Sequence, residues 1–340
     1  MENLTASLTL SYRQQINRRI AALSALSALT LLVCIYAVTQ GAYVISPIQI
    51  WEALWGNASE GPAVVVWNLR LPRIIASLVV GWGLSLSGLG IQSLLRNPLG
   101  SPSTLGISQG AAFGAAAAIV FMKANMVSVT GFAFLGAMGA TAIILILARL
   151  KRLSPEAVIL SGVALSALFS SATILIQYLA SDIQLATVVF WSFGDTARSS
   201  WQEIGLLTLG IGLVTVYFMI VRWDLNALDS GEESARGLGV PVERIRLHGM
   251  VAAAFVAALA TAFHGVIAFV GLIAPHIARR LVGDNHCLLI PFSSLLGALL
   301  LLSADTIGRL IIGSGALPVG VITSFLGAPL FLYLLVRGYR

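Results

Sequence analysis

Long apolar runs that almost no charge interrupts constrain this chain more than any other feature. Charged residues make up 10% of its 340 residues and hydrophobic ones 58%. A soluble domain carries roughly a quarter charged residues, so too little polar surface exists here to cover a soluble fold. The outward faces must meet lipid. In a bilayer core every backbone N–H and C=O needs a partner within the structure, which leaves helices or a closed barrel. The runs are continuous rather than short and alternating, so they predict helices. The expected fold class is all-α: a polytopic membrane protein with about ten transmembrane helices, forming one domain over residues 1–340.

Apolar runs and breakers place the spans near 20–39, 74–95, 104–122, 127–149, 156–180, 202–222, 246–263, 266–281, 288–304 and 318–336. The first run follows Arg13, Arg18 and Arg19, has no clear small-residue cleavage site and is long enough to span. It is therefore expected to be a retained helix and not a cleaved signal. The stretch 246–281 reads as two spans because Gly265, Gly271 and Pro275 interrupt it. With ten spans both termini share one side. That side receives fifteen of the twenty lysines and arginines, and the other receives Arg70, Arg73, Lys123, Arg198 and Arg309. Positive charge accumulates on the cytoplasmic side, so both termini are expected to be cytoplasmic. The net charge of +6 thus follows from topology. No basic run interleaved with aromatics points to nucleic acid.

Several chemistries are missing. A phosphate-binding loop needs a lysine after a Gly-rich turn, and the only lysines, Lys123 and Lys151, follow none. His248, His264, His276 and His286 are dispersed, and no His, Cys, Asp and Glu group has metal-ligand spacing. Cys34 and Cys287 predict no disulfide framework. The spans carry almost no ionisable residues, which weighs against an ion-coupled carrier.

Four segments stand out. The loop about 223–246 contains Leu228, Gly231, Glu232, Ala235 and Gly239, and a short helix over Glu232–Leu238 would end at Gly239 and Pro241. A solvated, mixed-charge loop is the alternative. Asn97, Pro98, Leu99 and Pro102 make a rigid turn after a helix end, and a plain interhelical turn would have the same composition. Arg70, Arg73 and Arg309, the last beside Asp305, oppose the charge bias. They either snorkel to headgroups or form a docking surface for an acidic partner. The fourth segment, Phe269–Arg279, combines Gly271 for close packing with Pro275 for a bend. His276 reads as a structural residue, and so does His264.

Together these segments resemble the permease family of ABC importers for ferric siderophores, haem and cobalamin, often called FecCD-type permeases. The stretches that carry the resemblance are Arg70–Arg73, Gly88–Pro102, Ser161–Leu165, Leu225–Val240, Gly265–Arg280, Ala304–Arg309 and Leu317–Pro329. The resemblance runs from about Trp67 to the C-terminus. It implies a ten-helix subunit that dimerises around a translocation path in a bacterial or archaeal cytoplasmic membrane. Two ATPase subunits would sit below, and an extracytoplasmic substrate-binding protein would dock above. The resemblance makes the 223–246 loop the coupling loop and gives Arg70, Arg73 and Arg309 to the binding protein's carboxylates. It makes Asn97, Pro98 and Leu99 part of a cytoplasmic gate. A second constriction would lie at the turn 154–156, where the cobalamin importer has small hydroxyl residues and this chain has Pro155 and Glu156.

The chain itself would bind no cofactor, because ATP and Mg²⁺ belong to the partner ATPase. It would not be an enzyme. A homodimer is the simpler guess, since no second permease half is present. Expected cargo is an iron–siderophore complex, with haem or cobalamin as alternatives. A lone ion-coupled secondary transporter and a non-transporting membrane scaffold are the competing classes.

Overall fold

The computed structural model describes residues 2–56, 59–122, 125–312 and 317–337. Lys123 and Arg340, both used in the charge count, lie outside them. Among the described residues the secondary structure is helical. The elements are α1 (Glu2–Thr39), α2 (Pro47–Leu54), α3 (Glu60–Val64), a π-helical turn (Val65–Arg70), α4 (Leu71–Leu95), α5 (Ile107–Phe121), α6 (Met126–Arg149), α7 (Pro155–Tyr178) and α8 (Asp182–Ser192). They continue with α9 (Trp201–Ile220), α10 (Arg222–Asp229), α11 (Glu232–Gly237), α12 (Val242–His264), α13 (Val270–Val282), α14 (His286–Ile312) and α15 (Val319–Arg337).

The ten expected spans fall on α1, α4, α5, α6, α7, α9, α12, α13, α14 and α15. Seven described helices are long and apolar enough to cross a bilayer; α5 and the start of α15 are shorter apolar helices. The stretch 246–281 does divide. α12 stops at His264, Gly265 takes φ +74°, and α13 begins at Val270. At 13 residues, α13 is only about 20 Å long, shorter than the run that predicted it. α8 was not expected at all.

Helix starts follow their caps. Ser200 and Glu203 form a reciprocal box at α9, and Asn125 caps α6 through the Ser128 amide. Pro155 occupies the first turn of α7, where its missing N–H costs nothing, and the Ser154 hydroxyl accepts from the Ala157 amide.

α4 is the centre of the bundle. In its most apolar stretch 83% of residues are buried, against 17% in α7. Close approach explains this. A Cβ on Gly88 would stand 1.7 Å from the Gly271 carbonyl oxygen, and one on Gly81 would stand 2.3 Å from that of Gly297. Only glycine lets the α4 backbone touch those of α13 and α14. Ser85 bonds across to the Ser293 carbonyl at 2.7 Å, and Ser87 to that of Ala253 at 2.7 Å. α4 therefore fixes the two ends of the bundle, and both groups of candidate site residues flank it.

Candidate functional sites at the two ends of α4

The N-terminal end of α4 carries the three arginines that opposed the charge bias. They are not free side chains. Arg70 is buried and donates to the Val38 carbonyl at 2.6 Å and to that of Tyr43. Arg73 grips Asp305 through Nε at 2.8 Å and Nη2 at 2.7 Å. Arg309 approaches the other oxygen of Asp305 at 3.2 Å. It also donates to the carbonyls of Ala37 and Gln40, both at 3.1 Å. Asp305 is completely buried, and Thr196 donates to it at 3.0 Å. The three guanidinium groups line one cavity of about 340 Å³ together with Gln40, Tyr43, Leu69 and Ala197. Asp305 pairs with Arg73 and Arg309 but not with Arg70, and no described carboxylate lines the cavity, so its wall is cationic. The arginine donors go to α14, to the last turn of α1 and to the α1–α2 link. Arg198, the fourth described cation of that side, pairs separately with Asp195 at 3.9 Å.

The C-terminal end of α4 gathers the loop and both turns. The expected short helix at 232–238 is α11. It is entered through Gly231 at φ +122° and left through Gly239 at φ +84°. Leu228 and Ala235 are buried, whereas Leu238 is 74% exposed. The Asn97 side chain accepts from the Leu99 amide at 2.9 Å, and the Asn97 carbonyl accepts from Gly100 at 3.0 Å. This local bonding makes the turn rigid. Arg96 opens it in the left-handed region at φ 49°. At the α6–α7 turn, Arg152 and Leu153 adopt φ 52° and 54°. Pro155 and Glu156 then form the ordinary capped start of α7 described above.

One side chain joins these pieces. Arg246, on α12, has no exposed surface. Its Nε donates to the Leu94 carbonyl at 3.0 Å, Nη1 to that of Leu153 at 2.8 Å, and Nη2 to Glu232 Oε2 at 2.9 Å. The hydrogen bond from Arg246 is the main force holding the Glu232 carboxyl below its usual range. Sequence reasoning counted Arg246 only as a topological charge. Spacing held a signal that went unused: Arg246 falls in helical register with Val242, Gly249, Met250 and Ala253, all buried.

A second polar network lies alongside. Asn226 accepts from the His286 amide at 2.9 Å and contacts its ring Nδ1 at 2.8 Å. The other ring nitrogen meets Ser93 at 2.8 Å, which also accepts from Arg279 at 2.8 Å. Asp229 lies 3.7 Å from both Arg279 and His286, too far for hydrogen bonds. Burial pushes its carboxyl up to about 6, Arg279 opposes the rise, and Asp284 adds to it. Asn226, Asp229, Arg279 and Asp284 border a cavity of about 600 Å³ that Gln92, Arg96, Asn97 and Pro98 also line. Leu99 is at the surface of the same turn, 42% exposed. Among the described residues no group of His, Cys, Asp and Glu could hold a metal ion.

The model of the FecCD transport family matches residues 29–337. A protein of Methanocaldococcus jannaschii described as an ABC transporter permease is 48% identical over 90% of this chain and 91% of its own length. The vitamin B12 import system permease of Vibrio cholerae is 37% identical over 92% of this chain and 93% of its own. Among solved structures, a metal-chelate type ABC transporter in an inward-facing conformation superposes with a TM-score of 0.83 at 31% identity. That match covers 94% of this chain and 99% of the solved one.

Proposed function

The chain belongs to the FecCD transport family of ABC importer permeases, and from that premise we propose that it carries a ferric siderophore inward across the cytoplasmic membrane. Two ATPase subunits drive it, and an extracytoplasmic binding protein delivers the cargo. One observation supports this reading over a lone carrier: α11 presents Leu238, 74% exposed, between two left-handed glycines at a polar end of the bundle. A short helix held between two such glycines, with an apolar tip, suits the ATPase contact that membership of an ABC importer family brings. The loop 223–246 is therefore the coupling loop, with Leu228 and Ala235 seating α11 on the bundle and Gly231, Glu232 and Gly239 setting its angle.

Ten spans with both termini in the cytoplasm put the Arg70, Arg73 and Arg309 cavity outside. Its cationic lining, without a described carboxylate, suits carboxylates of the binding protein. Asn97, Pro98 and Leu99 then belong to the cytoplasmic gate, and Pro155 and Glu156 begin the helix at the second constriction. A second copy of the chain completes the path. α7, the least buried of the middle helices, exposes Ala164, Ala167, Ser170 and Ser171 interspersed with Leu160, Val163, Leu168 and Ile174, and such small side chains would let a second backbone pack closely. The metal-chelate type of the solved structure favours an iron chelate, and the Vibrio cholerae relative keeps cobalamin as the second reading.

Reconstitution in proteoliposomes with the cognate ATPase and binding protein tests the proposal. Uptake of a ferric siderophore should require ATP and compete poorly with haem or cobalamin. Uptake driven by an ion gradient without the ATPase would overturn the proposal in favour of a secondary transporter.

A further inference from the structure

We propose that Arg246 is the positioning residue that ties the coupling helix α11 to both cytoplasmic gate turns, so that displacement of α11 reaches both through one guanidinium. The inference rests on the coupling-loop reading above and adds the residue through which that loop acts.

Each donor of Arg246 goes to a different element. Nε holds the Leu94 carbonyl in the last turn of α4, Nη1 that of Leu153 between α6 and α7, and Nη2 the Glu232 carboxylate of α11. A planar guanidinium offers its donors in a fixed fork, so the three acceptors cannot shift independently without breaking a bond. Lysine, a point charge on a flexible stem, could not impose that geometry.

The two turns it grips are unusual. Arg96 lies two residues past Leu94 at φ 49°, and Arg152 and Leu153 are consecutive at φ 52° and 54°. Left-handed residues other than glycine persist only where their surroundings over-determine them. At Leu153 the held carbonyl belongs to a strained residue itself. The three legs also differ in access: Arg246 is fully buried, whereas the Glu232 side chain is 33% exposed. A push can therefore enter at Glu232 and leave at the two carbonyls. A bistable packing of this kind converts a small displacement into a turn rearrangement.

The test uses the dimeric permease assembled with its ATPase in nanodiscs, with Cys34 and Cys287 replaced. A single cysteine is placed at Leu99→Cys or, separately, at Lys151→Cys. Thiol labelling rates are compared without nucleotide and with ATP plus vanadate. With Arg246 and Glu232 intact, nucleotide should change the rate at both turns. In Glu232→Ala, which cuts the α11 leg, and in Arg246→Met, which cuts all three, the change should be lost at both turns, and in Arg246→Met it should be lost while ATP hydrolysis continues. A residue that merely filled the core would not separate these readouts. Arg246→Lys should restore at most one turn. Where either variant fails to assemble, Glu232→Gln, which trades the ion pair for a neutral hydrogen bond, should show a reduced change. Nucleotide-dependent labelling that persists in the variants, or is absent when both residues are intact, overturns the proposal. Leu238→Asp separates the two layers. If that variant still binds and stimulates the ATPase, the coupling-loop reading fails as well. If it loses the ATPase while Glu232→Ala keeps its gate response, only the role of Arg246 fails.

Discussion

Asp305 is the only carboxylate within ion-pair distance of Arg73 and Arg309 among the described residues, and that imbalance decides what substitutions do. Asp305→Ala leaves two arginines buried without a counter-charge, and removing one member of such a group costs about 3–5 kcal/mol. Thermal unfolding in detergent should reveal a large loss for Asp305→Ala and a smaller one for Arg73→Ala, because Arg309 and Thr196 would still serve Asp305. Asp229 supplies a pH dependence. Its carboxyl is raised from 3.8 to about 6, mainly by burial, so the folded protein binds this proton more tightly than the unfolded chain. Stability should then fall as pH rises from about 4 to about 6 and level off above that. Asp229→Asn should flatten that slope in a pH series of unfolding midpoints. An unchanged slope would refute the assignment. At this scale the sequence revealed which arginines were out of place but not what they hold. Arg70 and Arg309 donate to carbonyls at 37, 38, 40 and 43, and Arg73 holds Asp305, 232 residues away; none of these partners is adjacent in the sequence.

Among elements, α4 tolerates least. Gly88→Ala would drive its Cβ into the Gly271 carbonyl, and overpacking of a tight contact costs about 1–3 kcal/mol. Gly139, with nothing within 4 Å of an added Cβ, is the control. Folded yield should fall for Gly88→Ala and stay unchanged for Gly139→Ala. The long helices were legible because apolar length alone specifies them. α8 was missed because it has 11 residues and two polar ones near its start. Its capping box, Ser181 with Gln184, stood in the sequence as a start signal. Pro155 and Glu156 show the reverse case. Read as a departure from a gate motif, they are also an ordinary capped helix start, and a single chain gives both readings the same letters.

For the whole molecule, the proposed ten-span topology makes a labelling prediction. An impermeant thiol reagent outside intact cells should miss a cysteine near Gly283 and reach one near Ser314, a position outside the described residues. The reverse pattern would invert the last helices. Docking should follow the cationic lining of the Arg70, Arg73 and Arg309 cavity. The triple alanine variant should bind the substrate-binding protein far more weakly than any single one, and salt should weaken the unaltered complex. Binding by the triple variant at unaltered affinity and salt response would remove these arginines from the interface. Charge count and breakers made the two ends of the bundle legible in the sequence. The convergence of loop and turns on Arg246 was not, since its three partners are 14, 93 and 152 residues away.

The centrality of α4 has a consequence for biogenesis. Its bonds to α13 and α14 join residues 179 to 208 positions apart, so the partners are made long after α4 itself. At ribosomal speeds of about 5–20 residues per second, α4 waits roughly 10–40 s before they exist. Through that interval a glycine-rich span with its serines unpaired must rest in lipid or against the insertion machinery. A chain released before α13 would leave the α4 face that meets α13 and α14 uncovered, with Ser85 and Gln92 lacking their partners.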